Sequence, residues 1–597
     1  MKFDKETVFA FILCLGMILV WGIYSKKANE KMVEEKRVEQ ESVAEKADAI
    51  SSDAKALAEN NERHNKPVET PIKNDTSTSK EDVSNHSKTE HGGLNPSDFR
   101  TERLGNSNIT CEISVYDSSI ERVEFLKFLD QKKTKNISFG YPLNPFDGLK
   151  VSIGDSVVKD IKVENKDGSI TVIRTVSAGG SDLKIKQSFS LKGEYIVGSE
   201  ISFLNVGSER VSIPALKVSA GSISDFKSMG GDQLQSEYFS INTCLASGGA
   251  VKSKPFKGKE FDEQQENPAR WIALSNKYFC SILMPQEPFP EGNMMIASNL
   301  PTKGKNEKQS DELFQKNLKD NEKPKFPYIS SQGILPLDLA PGETKTFSMS
   351  IFLGPKERPL LKSFDESATK VMHLGWNWLE PISQLLLSFL VKINKFVGNY
   401  GWSIIILTIL IKLAFWPLAE KANTSARNMQ KLQPIIQEIK EKYKGDPQKM
   451  HAKTMEIYKE HGVNPFGGCL PALLQLPVLF ALYNTIGGAV EIRQSSFLWA
   501  IDLTRPDSLF IPGIPIPVNP LVLLMAGTMF LQQKMTPAVA DPVQQKMMML
   551  MPLIMLVMFY SVPSGLTLYW TVSQIISIIQ LGMSKYMPLI KKTKGIA

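Results

Sequence analysis

Lys412 is a charge in a place where charges are rare. It falls within Val397–Leu418, whose other side chains are apolar or hydroxyl-bearing apart from Asn399. About 20 apolar residues suffice for a helix to cross a bilayer core. An ammonium inside such a helix costs roughly 2.5–3.5 kcal/mol on insertion scales. Two readings stay open. About 9 Å of helix rise separates Lys412 from Leu418, so its stem can carry the charge to the interface. Alternatively, it serves a wet cavity within the membrane. Other polar residues in apolar surroundings fit the cavity. Thr408 is one turn earlier at i−4, and Gln475 interrupts an apolar run between Pro471 and Pro477. Thr567, Tyr569, Thr571, Ser573 and Gln574 crowd the last apolar run. Each alone is commonly a helix–helix hydrogen bond. Together they would line a hydrated pocket able to receive polar or acidic groups.

Covalent chemistry has no comparable foothold. The six histidines are His64, His86, His91, His373, His451 and His461, none of them between 98 and 356. That removes Ser/His/Asp catalysis and most zinc constellations from that region. GxxxxGK[ST], GxGxxG, HExxH and GxSxG motifs are missing from the sequence, so neither nucleotide hydrolysis nor a nucleophile elbow is expected. The expectation is a protein that is not an enzyme and has no cofactor or metal. Cys14, Cys111, Cys244, Cys280 and Cys469 show no CxxC spacing, and no disulfide framework is expected. Whether Cys111, Cys244 and Cys280 pair is left open. The net charge of +7 is spread over 597 residues and gives no argument for nucleic-acid sequence recognition.

The elements that must position Lys412 follow from the patterning. Residues 1–24 read as an uncleaved transmembrane anchor, since Trp21 to Lys27 offers no small-residue cleavage site. Residues 25–97 are rich in Lys, Glu, Asn and Ser and read as a disordered tether. Residues 98–356 carry short alternating runs, such as Ile170–Val176, Leu183–Phe189, Tyr195–Phe203 and Phe347–Leu353, which predict a large antiparallel β-sandwich. Residues 357–396 include Trp376, Trp378, Ile382, Leu386, Phe389 and Ile393 at helical spacing, interrupted by Pro381. They read as an amphipathic helix lying in the membrane interface.

Five core spans follow the interfacial helix, at 397–418, 465–488, 518–534, 547–562 and 565–586, with a loop at 489–517 and another at 535–546. With the anchor they make six transmembrane helices. The segment 419–464 and the tail 587–597 are rich in Lys and Arg, while 489–517 has only Arg493 and Arg505 against three acids. The positive-inside rule places both termini and 419–464 in the cytoplasm and the β-domain outside. Residues 419–464 predict a helical hairpin. Met429, Leu432, Ile435, Ile436, Ile439 and Tyr443 form one apolar stripe, Gly445 ends the first helix, Asp446 caps the second, and Pro447 suits its first position. Methionines concentrate between Met525 and Met558. They are either ordinary lipid-facing filler or a soft surface able to repack against many apolar partners.

Several stretches resemble one family when taken together. Asn399-Tyr-Gly-Trp-Ser-Ile-Ile-Ile-Leu-Thr408, Leu432-Gln-Pro434 and Val463-Asn-Pro-Phe-Gly-Gly-Cys-Leu-Pro471 are similar to the YidC/Oxa membrane protein insertases. So are Asp541-Pro-Val-Gln-Gln-Lys546 and Pro563-Ser-Gly-Leu-Thr-Leu-Tyr569. Trp271-Ile-Ala-Leu274 and Leu339-Ala-Pro-Gly-Glu-Thr344 resemble the periplasmic domain of the Gram-negative branch. The resemblance covers nearly all of the chain except the tether. It implies a multi-pass protein of the bacterial inner membrane whose core helices enclose a groove open to cytoplasm and lipid. A basic residue in that groove falls here on Lys412, where many bacterial members carry arginine. Lysine keeps the charge without the bidentate fork. The paired tyrosines often seen in the last helix appear as Tyr569 and Trp570. The groove set expected on this basis is Thr408, Lys412, Gln475, Tyr569, Trp570 and Ser573. The hairpin set is Leu432, Pro434, Gly445, Asp446 and Pro447.

The function implied is a chaperone-like insertase for nascent membrane proteins, acting alone or with the Sec translocon, in contact with membrane lipids and the ribosome. Two rivals are kept. A secondary transporter using Lys412 would show repeated halves, and none is visible. A membrane-anchored sugar-active enzyme would exploit the mutarotase-like sandwich of the family, against which the histidine placement weighs.

Overall fold

The computed structural model describes residues 100–593, apart from 131–132, 141–144, 155, 167, 179–180, 225–238, 302–324, 377, 464–469, 513–516 and 536–541. The expected anchor 1–24 and tether 25–97 lie outside the described residues, as do 594–597 of the tail. The described chain falls into two compact parts. One contains the β-domain and the apolar helices; the other, residues 417–474, contains the hairpin.

Among the described residues, the β-domain forms two nine-stranded sheets with antiparallel pairing. The alternating runs of the sequence become the strands Ser169–Ala178, Ser181–Leu191, Ile196–Asn205 and Thr344–Pro355 of the second sheet. Their period of two sends Val172, Ile185, Phe203 and Ile351 inward, where each is fully buried. The first sheet contributes Ile109, Val123, Phe125 and Leu216 to the same core. Phe125 stacks on Phe279 of the other sheet at 4.7 Å between centroids. Cys111, Cys244 and Cys280 are buried free thiols, and burial pushes those of Cys111 and Cys280 up to about 12.

The region expected as one interfacial helix divides in three. α1 spans Arg358–Phe364, a 3-10 helix spans Glu366–Met372, and α2 spans Glu380–Val397. Pro381 does not interrupt α2 but occupies its first turn, where a missing N–H costs nothing. Trp376 and Trp378 therefore precede the helix and stack at 6.2 Å. The first two pieces belong to the β-domain by packing. Asp365 pairs with Arg270 and caps the 3-10 helix through Ser367, and Trp271 Nε1 donates to Ser367 Oγ at 2.8 Å. His373, outside the nominal β-domain by sequence, returns to it: its Nε2 lies 2.9 Å from Asn242 Oδ1.

The helices that follow are α3 (Tyr400–Lys431), α4 (Gln433–Lys442), α5 (Pro447–Glu460), α6 (Leu470–Gly488), α7 (Pro520–Met535), α8 (Pro542–Phe559) and α9 (Ser564–Thr593). Among the described residues, Tyr400–Lys431 and Ser564–Met583 are long and apolar enough to cross a membrane, and Met549–Phe559 is a shorter apolar helix. α3 does not stop near 418. It continues through Pro417 to Lys431, so Leu432 becomes the buried N-cap of α4 and Pro434 sits in that helix's first turn. Asp446 caps α5 by accepting from Lys449 N at 3.1 Å, with Pro447 in its first turn. α4 ends at Lys442, before Gly445 is reached.

The loop between α6 and α7 anchors the N-terminal end of α9. Ser564 N donates to Arg505 O at 2.7 Å and Gly565 N to Leu503 O at 2.9 Å, satisfying helix-terminal donors that have no partner within the helix. A Cβ on Gly565 would lie about 3 Å from Ile486, Ile404 and that same carbonyl, so any larger residue would crowd all three. The β-domain grips this loop. Arg493 Nη2 and Gln494 Nε2 donate to Leu129 O at 2.7 and 3.1 Å, and Tyr278 Oη lies 3.3 Å from Thr504 Oγ1.

Candidate functional site

Three helices meet along one stripe of α9. Tyr569, Ser573 and Ser577 are spaced four residues apart and so share a face. From α6, Gln475 Nε2 donates to Ser573 Oγ at 2.8 Å and to Tyr569 Oη at 3.3 Å. From α3, Lys412 Nζ donates to Ser577 Oγ at 2.9 Å. Ser577 Oγ donates back to Ser573 O at 3.0 Å, which links the two contacts through α9. One turn further on, Gln580 Nε2 donates to Trp416 O at 3.3 Å. The result is a polar track running along α9 with α3 on one side and α6 on the other.

Lys412 is half-buried and its hydrogen-bond partner among the described residues is a neutral hydroxyl. A lysine fully committed to structure in an apolar setting is normally paired with a carboxylate. One held only by a serine keeps its charge available to an incoming group. Its ammonium reaches across from α3 to α9.

The expected residues do not all gather here. Thr408 is fully buried and donates to Ile404 O at 2.6 Å, folding its hydroxyl back onto its own helix. Thr571 does the same with Thr567 O at 2.8 Å. Trp570 lies about a quarter turn round α9 from Tyr569, and its ring meets Phe559 of α8 at 5.9 Å. Tyr569 and Trp570 thus serve different faces. Ser577 belongs to the track and was absent from the expected set. Its signal was the hydroxyl repeat at 569, 573 and 577, masked by the density of Ser and Thr in that helix.

In the hairpin, Leu432 and Ile436 are buried, while α5 presents a largely exposed, charged surface. Lys453 pairs with Glu456 at 2.7 Å and Lys449 with Asp446 at 3.3 Å. Both pairs are solvent-exposed and contribute little to stability. Among the described residues no three His, Cys, Asp or Glu side chains form a group able to hold a metal ion.

Comparison with known proteins covers both parts of the chain. The profile described as 60Kd inner membrane protein matches residues 392–589. The profile described as YidC periplasmic domain matches residues 156–388. A protein named membrane protein insertase YidC from Syntrophobacter fumaroxidans is 35% identical over 412 residues, 67% of this chain and 68% of that protein. One of the same name from Geotalea daltonii is 33% identical over 440 residues, 72% of this chain and 74% of that protein. A solved structure titled as an active YidC insertase with its first transmembrane domain resolved matches at 18% identity. It covers 80% of this chain and 92% of that one, with a TM-score of 0.33.

Proposed function

The chain belongs to the YidC family of membrane protein insertases, and from that premise we propose how its polar track takes part in insertion. It is a protein of the bacterial inner membrane with a periplasmic β-sandwich domain, and nascent membrane proteins are its substrates. In this reading an apolar segment of a nascent chain enters beside Lys412, Ser577, Ser573, Gln475 and Tyr569 and leaves into lipid. Nucleotide hydrolysis is not required. Transfer of an apolar helix is favourable by itself, at about −0.3 to −0.6 kcal/mol for each Leu-like residue. The barrier lies in moving the polar flank. A hydrated track shortens that passage, and one unpaired cation attracts acidic flanks. The observation that carries this reading is the Lys412–Ser577 contact, because it places an ammonium, whose partner among the described residues is a hydroxyl, on a hydroxyl-lined helix face.

Six transmembrane helices, five of them forming the core, would place both termini and the hairpin in the cytoplasm. The hairpin would receive the substrate, and the basic tail would meet the ribosome. The Sec translocon would act as a partner, with lipid as the acceptor phase. Depletion of the protein followed by profiling of inner-membrane proteins tests the function. The account expects loss of newly made multi-pass and small single-span proteins from the membrane. A proteome with unaltered membrane insertion would contradict it.

A further inference from the structure

Arg174 lies on the core face of the β-domain, far in sequence from the helices discussed above. In the strand Ser169–Ala178 the residues Ile170, Val172, Arg174 and Val176 share one face and all are buried; Arg174 is 4% exposed. An arginine in the row that fills a sandwich core needs an explanation. The register sets Arg174 against Ile185 and Val172 against Gln187. Gln187, fully buried, is therefore the diagonal neighbour of Arg174 on the same face. Its Nε2 donates at 3.0 Å to Leu149 O in the opposite sheet, so the two sheets meet here.

The hydrogen bonding around these two residues is incomplete. Among the described residues, Arg174 Nε and Nη2 and Gln187 Oε1 have no partner. Nε and Nη2 form the edge of a guanidinium whose two N–H bonds run parallel, the edge that grips a carboxylate or phosphate with two bonds. Burial pushes the Arg174 guanidinium down to about 10, against the opposing pull of Asp117 and Tyr116. Asp117 is already engaged, 3.0 Å from Lys150 and 2.7 Å from Ser119 Oγ. Lys150 also pairs with Asp147 at 3.3 Å. These three groups are partly exposed, and of them Asp117 is the one whose charge reaches Arg174.

We propose that Arg174 anchors a binding site for a small oxyanion between the two sheets of the β-domain. The guanidinium edge would take two oxygens of a carboxylate or phosphate, and Gln187 Oε1 would accept from a hydroxyl on the ligand. The burial of both residues restricts the ligand to a small molecule or to the end of one. The site is separate from the polar track on α9 and does not depend on it.

Calorimetric titration of the full-length protein in detergent tests this, with sodium phosphate and sodium acetate as separate probes and sodium chloride at matched ionic strength as the blank. Saturable binding of either probe is expected. Phosphate alone would identify a tetrahedral ligand group and acetate a planar one. Arg174→Lys keeps the charge but loses the parallel edge, and should weaken binding by about tenfold. Asp117→Asn removes the competing negative charge and should tighten it severalfold, which provides the decision if Arg174→Lys does not fold. Absence of saturable binding in the millimolar range would overturn the site. So would binding that neither substitution changes, the signature of an adventitious ion only.

Discussion

Lys412 and Ser577, 165 residues apart in the chain, are joined by a hydrogen bond of 2.9 Å between two helices. The bond is charged on one side and neutral on the other. It therefore holds the ammonium in place without neutralising it. Ser577→Ala removes only the hydroxyl. Hydrogen bonds between membrane helices average about 0.6 kcal/mol, so folding should be nearly unaffected. Insertion of a substrate with an acidic flank should fall about twofold to threefold in reconstituted vesicles, because the ammonium is less well placed. No change in that rate would show that Ser577 is a packing contact.

Gln475 provides a second test of the same track. Its side chain donates to both Ser573 and Tyr569. Gln475→Leu keeps the volume and removes both bonds. If the track works by being wet, the variant should fold normally and insert more slowly, several-fold for substrates with polar flanks. A variant that inserts as well as the parent would assign Gln475 to helix association alone.

Lys356 gives a pH-dependent prediction in the β-domain. It is 7% exposed, and burial pushes its amine from 10.5 down to about 8. Between pH 8 and 10.5 the unfolded chain holds a proton that the folded chain has lost, so stability rises with pH across that window. Below pH 8 both states hold the proton and the cost of burying it is present in full. Lys356→Met should therefore raise the melting temperature at pH 7, by the equivalent of about 3 kcal/mol. The gain should shrink as pH climbs toward 10.5. A melting temperature that falls at pH 7 would mean the amine makes a net favourable contact.

The hairpin should act through its presence and shape. Its surface ion pairs are exposed and weak. Single alanines at Lys449 or Lys453 should leave insertion within about twofold, whereas replacing 437–460 with a short flexible linker should reduce it by an order of magnitude or more. Normal insertion by the linker variant would remove the hairpin from the substrate path.

What could be read from the sequence was governed by short-range chemistry. Asp446 and Pro447 mark the start of α5 because capping and a first-turn proline are local demands. The alternation Leu183, Ile185, Gln187, Phe189 identifies a strand face without any neighbour being known. Other features depend on partners far along the chain. Pro417 looks like a helix stop, yet α3 carries on through it to Lys431. Thr408 shares a face with Lys412 by spacing, but its hydroxyl turns to Ile404 O, a rotamer choice that spacing does not fix. Ser577 is one hydroxyl among many in α9, and only the approach of Lys412 distinguishes it. His373 lies beyond the last strand and still reaches Asn242, because the chain folds back along the β-domain before entering α2.

The central claim is that Lys412 presents a usable positive charge to substrates. The direct test is a reporter series whose translocated tail carries progressively more acidic residues, inserted by the parent, Lys412→Arg, Lys412→Ala and Lys412→Glu. Lys412→Arg should match the parent, because charge at that depth is retained. Lys412→Ala should lose efficiency in step with the number of acids, and Lys412→Glu should lose more, since the acid flank then meets repulsion instead of attraction. Equal insertion across the whole series by Lys412→Ala would contradict the account and leave Lys412 as a side chain whose charge only reaches for the membrane surface.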